Sequence, residues 1–116
     1  MRQQRPAVWW SVALVLALVC AAASVAAQRR SKPETHTVTI DATSFTPANL
    51  TIRAGDTVIW VNKDVLPHTA TESAKKGFDS GMLATGASWK RTFAAKGDVN
   101  YVCAYHPTMK GRVRVK

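Results

Sequence analysis

The sequence has almost nothing from which to build a disulfide framework: cysteine occurs twice in 116 residues, as Cys20 and Cys103. Cys20 lies inside an apolar run over residues 7–23, which follows Arg2 and Arg5 and leads into the small residues Val25-Ala26-Ala27. A charged start, an apolar middle and a small-residue exit are the parts of a secretory signal peptide over residues 1–27. Cleavage is expected near Ala27–Gln28, which leaves Cys103 as a lone thiol with no internal partner. The competing reading is an uncleaved anchor. Residues 8–27 are long enough to cross a hydrocarbon core as a helix, and Arg29, Arg30 and Lys32 blur the orientation signal. The residues before Cys20, Ala17-Leu18-Val19, lack the pattern of a lipoprotein site.

Acidic residues are also scarce, with 7 Asp+Glu against 16 Lys+Arg. Without Arg2 and Arg5 the balance is 14 against 7, so the exported chain stays strongly basic. No aromatic-interleaved basic motif accompanies that charge, because Arg53, Lys63, Lys75-Lys76, Lys90-Arg91 and Lys96 are scattered. Scattered charge on an exported chain argues against a genomic nucleic-acid target and favours an acidic protein partner. Internal repeats are absent, and beyond Thr35 there is no sustained helical period.

What is present is period-two alternation, the mark of half-buried strands. After a polar leader over residues 28–35, Val38 and Ile40 alternate with Thr37 and Thr39, and Leu50 and Ile52 with Thr51 and Arg53. Residues 57–61 form a continuous β-branched and aromatic run that reads as a strand buried on both faces. Val99, Tyr101 and Cys103 share one face of a later strand, and Val113 and Val115 close the chain. Trp60, Phe45, Phe78, Trp89 and Phe93 read as core. The pattern predicts an all-β domain over residues 36–116, an antiparallel β-sandwich or small barrel. The long gap over residues 63–87 is too irregular to be mere spacer in so small a domain.

Chemistry concentrates where the last strands run out. Tyr101-Val102-Cys103-Ala104-Tyr105-His106-Pro107-Thr108-Met109 sets Cys, His and Met at Cys-x-x-His-x-x-Met spacing, and Leu66-Pro67-His68-Thr69 follows the Trp60 strand. Taken singly, each residue has a plain structural role: a buried thiol, a turn or surface histidine, a core methionine. Together, His68, Cys103, His106 and Met109 supply two imidazoles, a thiolate and a thioether, the donor set of an electron-transfer copper site. Sulfur favours Cu(I) and imidazole serves both oxidation states, while Pro67 and Pro107 stiffen the chain beside each histidine. Copper would hold Cys103 as thiolate, which explains how a lone cysteine survives export. His36, at the end of the leader and ahead of the first strand, reads as a solvated histidine.

These residues carry a resemblance. Phe45-Thr46-Pro47, Gly55-Asp56-Thr57-Val58-Ile59-Trp60, Pro67-His68, Phe78-Asp79-Ser80-Gly81 and the segment from Cys103 to Gly111 are similar to the cupredoxins, in their plastocyanin- and amicyanin-like group, over residues 38–116. The resemblance implies a Greek-key sandwich and one type 1 (blue) copper ion bound by His68, Cys103 and His106 with Met109 axial. It also implies a non-enzymatic carrier of single electrons in the bacterial periplasm or the thylakoid lumen; for this chain the periplasm and a monomer are expected. Its partners would be redox proteins, such as a c-type cytochrome or a dehydrogenase with an acidic docking face. His106 would be the exit edge within an apolar patch of Leu66, Pro67, Met82, Leu83 and Pro107. Thr69 stands where many members have an asparagine that ties the two ligand loops, and Val99 where tyrosine is common. Two other functions compete: copper delivery or storage with the same ligands, and a zinc-stabilised structural module, for which methionine is a poor ligand. A membrane partner is expected only if the signal segment stays attached.

Overall fold

The computed structural model describes residues 31–116; the expected signal segment, residues 1–27, lies outside the described residues. Eight strands follow one another: β1 Thr35–Asp41, β2 Ser44–Thr46, β3 Asn49–Ile52, β4 Thr57–Asn62, β5 Thr71–Glu72, β6 Ser88–Thr92, β7 Gly97–Val102 and β8 Lys110–Val115. They form two four-stranded sheets in the orders β2-β1-β4-β6 and β3-β8-β7-β5. The chain crosses between sheets repeatedly, so each layer is assembled from distant segments. No α-helix occurs among the described residues.

The alternation read from sequence is visible in the burial. Val38 and Ile40 of β1 and Val113 and Val115 of β8 point inward and are at most 3 % exposed. Each such side chain contributes about 1.5–3 kcal/mol on burial. The centre is aromatic: the Trp60 ring lies 5.4 Å from that of Tyr101, 5.6 Å from those of Phe78 and Trp89, and 6.3 Å from that of Phe93. Phe45 meets Tyr101 edge-on at 4.7 Å. Gly111 on β8 lies directly under the Tyr101 ring, where a Cβ would collide with the phenol carbons.

Three expectations need correction. The sandwich is mixed rather than wholly antiparallel, because β1 pairs with β4 and β3 with β8 in parallel. Both pairs join strands separated by a crossover to the other sheet, which brings the second strand back in the same direction. The β4 run is buried on one face only: Val58, Trp60 and Asn62 point inward, while Thr57, Ile59 and Val61 are half-buried. Its apolar outer residues are partly covered, so a continuous apolar run overstated the burial. His36, finally, is not a solvated leader residue. It belongs to β1, and its Nε2 lies 3.0 Å from Asp56 Oδ2.

Asp56 explains why. It is 2 % exposed and accepts the Glu34 N–H at 2.8 Å and the Arg53 N–H at 3.0 Å in addition to the His36 contact. The carboxylate thus clasps the start of β1 to the turn before β4. Hydrogen bonds to its ionised form, led by the Glu34 N–H and the His36 ring, lower its pKa to about 2.

Candidate metal centre

Strand β4 delivers the chain to the first part of the site and β7 to the second. Past β4, Asn62 is fully buried and organises the turn. Its amide donates to the Leu66 carbonyl at 2.8 Å and the Leu83 carbonyl at 2.9 Å, while its Oδ1 accepts the Asp64 N–H at 2.9 Å. His68 and Leu83 then exchange backbone hydrogen bonds of 3.1 and 2.7 Å, an isolated antiparallel bridge inside the segment read as irregular. These contacts fix the His68 backbone from two sides.

The second part explains the sequence spacing. His106 N–H donates to the Cys103 carbonyl at 3.2 Å, Met109 N–H to the His106 carbonyl at 2.9 Å, and Cys103 N–H to the Met109 carbonyl at 3.1 Å. Two successive three-residue turns close into a ring, so the backbones of Cys103, His106 and Met109 brace one another. A different x-x count would break that ring. Cys103 and Met109 are buried, and His106 is half-buried.

The structure brings three donor atoms together. Cys103 Sγ lies 3.7 Å from His68 Nδ1 and 3.7 Å from His106 Nδ1, and the two imidazole centroids are 5.0 Å apart. A metal at ordinary bond lengths sets a sulfur–nitrogen separation of about 3.6 Å at tetrahedral angles and about 3.8 Å at trigonal angles. The observed spacing fits either geometry, so the donors decide: thiolate, two imidazoles and a thioether on the same loop suit copper better than zinc.

The surroundings favour a charged sulfur. Burial pushes the Cys103 thiol up, but the Thr69 N–H at 3.4 Å, the two imidazoles and the Tyr105 N–H outweigh it and bring the pKa to about 6. His68 is oriented from behind by Asp64, whose Oδ2 lies 2.8 Å from Nε2. Burial lowers the His68 pKa, but Asp64 and the Cys103 sulfur more than offset it and the net shift is upward. Asp64 itself is lowered to about 2, chiefly by His68 and then by the Thr43 N–H. Holding Nε2 in this way directs Nδ1 at the sulfur.

Sequence reasoning passed over Asn62 and Asp64; the signal was two short polar residues directly after a β-branched run and just ahead of a histidine. Thr69, read as a departure, does tie the ligand segments, since its Oγ1 accepts the Ala104 N–H at 2.7 Å. Of the expected apolar patch, Leu83 is buried at 4 % exposure because it forms the bridge to His68. Leu66, Pro67, Met82 and Pro107 are exposed, and Val65 and Tyr105 join them. A second group of metal-capable side chains, Glu34, His36 and Asp56, lies at the other end of β4. Its groups are already engaged: Glu34 Oε1 holds the Arg53 guanidinium at 2.8 Å, and both Asp56 oxygens are occupied by the contacts described above.

Fold and donor set together define a copper-binding cupredoxin domain. The chain belongs to the plastocyanin/azurin family of copper-binding proteins, which matches residues 33–116. It is similar to an amicyanin of Paracoccus versutus, 35 % identical over 85 residues that cover 68 % of this chain and 63 % of the relative. A plastocyanin of Scenedesmus fuscus is 32 % identical over 62 % of this chain and 86 % of its own length. Among solved structures, a purple cupredoxin from Nitrosopumilus maritimus superimposes with a TM-score of 0.66 at 30 % identity, covering 70 % of this chain and 99 % of that protein. Oxidised P94A amicyanin gives 0.68 at 28 %, covering 71 % and 82 %. The chain spans less than two thirds of the length of the amicyanins it matches, 63 % of one, 64 % of another and 54 % of a third.

Proposed function

We propose that the protein is a non-enzymatic carrier of single electrons, in which His68, Cys103 and His106, with the Met109 thioether as a weaker fourth donor, would hold one copper ion. The observation that carries this reading is the pair of 3.7 Å separations between Cys103 Sγ and the two Nδ1 atoms. When bound, copper supplies a one-electron couple between Cu(II) and Cu(I). The chain's part is to keep the donors still. The backbone ring through Cys103, His106 and Met109, the His68–Leu83 bridge and the Asp64 contact each resist movement between the two states. Burial of His68 and Cys103 excludes water from the donor atoms. Only His106 reaches toward solvent, beside exposed Tyr105 and Pro107, which makes its edge the point of electron exit.

The exposed apolar residues around that edge, Leu66 and Met82 at 44 % and 62 % exposure, suit a short-lived docking face. The basic chain favours a redox partner with an acidic rim, and such an encounter weakens with salt. The compartment belongs to the same proposal: residues 1–27 act as an export signal, and the domain works in the periplasm as a monomer. Copper delivery or storage would use the same donors but asks for easy release, which the braced loops oppose.

The test is the visible and EPR spectrum of the copper-loaded domain. An intense thiolate-to-copper colour is expected, lost in Cys103→Ser. Met109→Leu should keep the colour and raise the potential. Parental colour in Cys103→Ser would end the ligand assignment.

A further inference from the structure

The two ligand-bearing segments are joined by a hydrogen-bond chain whose outer end is a surface carboxylate. Ala104 N–H donates to Thr69 Oγ1 at 2.7 Å, and Thr69 Oγ1 lies 2.9 Å from Thr71 Oγ1. Thr71 Oγ1 donates to Asp79 Oδ1 at 3.1 Å, and the same oxygen accepts the Gly81 N–H at 2.9 Å. A hydroxyl has a single hydrogen to give. Thr71 gives its hydrogen to the carboxylate, so the contact between the two hydroxyls is Thr69 donating to Thr71. The Thr69 oxygen then accepts from Ala104. Every hydrogen in the chain points toward Asp79, an arrangement in which each bond polarises the next.

The inner end of the chain reaches the metal centre. Thr69 is 2 % exposed, and its own N–H points at Cys103 Sγ. Ala104 directly follows Cys103. We propose that Asp79 is a positioning residue for the copper centre. Through Thr71 and Thr69 it fixes the spacing of the His68 and Cys103 segments and the strength of the N–H bond to the Cys103 sulfur. The backbone supports this reach, because Thr71 and Asp79 face each other in an isolated antiparallel bridge. The proposal rests on the copper reading only for its electrochemical readout; the chain itself is testable without metal.

The probe is the Ala104 amide proton of the metal-free protein, followed by NMR. Asp79→Ala and Thr71→Val are each expected to speed its exchange roughly five- to tenfold and to move its resonance upfield. Combining them should add nothing beyond either alone, since both cut one chain. Thr71→Ser, which keeps the hydroxyl, should restore parental values. In the copper-loaded protein the two single variants should lower the reduction potential, because a weaker N–H bond leaves more charge on the sulfur to stabilise the oxidised ion. A merely structural residue would lower Tm and leave the potential alone. Parental Ala104 exchange and shift in both single variants, or additive effects in the double variant, would overturn the proposal. A copper-loaded parent without thiolate colour would overturn the electron-carrier reading instead, and leave the Ala104 result to stand by itself.

Discussion

The domain contains two histidine–aspartate pairs at opposite ends of β4, and only one of them makes a site. His36 and Asp56 meet at 3.0 Å before the strand begins, and His68 and Asp64 at 2.8 Å after it ends. A six-residue strand keeps them roughly 20 Å apart. Both carboxylates are bound by backbone N–H groups and held near a pKa of about 2. The difference lies in what else each pair meets. The Nδ1 of His68 faces the Cys103 sulfur, whereas the carboxylates around His36 are already committed to Arg53 and to backbone groups. The pair is therefore a generic orienting device, and the loop opposite determines whether it becomes metal chemistry or a clasp.

Removing the two aspartates in turn separates the two ends by the largest effect. Asp64→Ala should weaken copper affinity by about 10- to 100-fold, as loss of a partner behind a ligating histidine does. Asp56→Ala should leave affinity and spectrum at parental values and lower Tm only; copper titration and thermal melts on both variants check this. Gly111→Ala should destabilise the fold by about 1–3 kcal/mol in urea melts, because the methyl displaces the Tyr101 ring packed against Trp60 and two residues from Cys103.

A smaller effect separates the ends by pH. In the metal-free protein the Cys103 pKa is depressed from 9.0 to about 6, so its contribution to stability is complete above about 9 and is lost as pH falls through 6. The ultraviolet absorbance of the thiolate should therefore titrate with a midpoint near 6. At the clasp, Asp56 is depressed from 3.8 to about 2, so its contribution is complete above about 4 and is lost only as pH falls toward 2. Acid melts of Asp56→Asn should lack that last loss. Smallest of all, Met82→Ala should slow reduction by an acidic partner only slightly and leave the spectrum unchanged.

Much of the site was legible because its spacing is local. Cys-x-x-His-x-x-Met is two turns of chain, so sequence distance and spatial distance agree. The core strands were legible for the same reason, since Val38, Ile40, Val113 and Val115 alternate with polar residues at a period of two. What remained hidden depends on contacts across the sandwich. His36 looked solvated because its partner, Asp56, is 20 residues away. Asp64 leaves no local signal because its value lies in joining the Thr43 turn to His68, and Leu83 is drawn from the surface by a bridge to His68 15 residues away in sequence. Parallel pairing of β1 with β4 leaves no local trace either, because alternation is the same in both directions.

That parallel pairing settles where the domain can be held. Thr35 lies beside Thr57, and the Lys116 carbonyl accepts the Ala54 N–H at 3.0 Å, so the chain enters and leaves the sandwich at the Asp56 pole. Linkers, fusion partners or a solid electrode attached at either point would grip the domain by its inert pole. The His106 edge would then face outward, unobstructed.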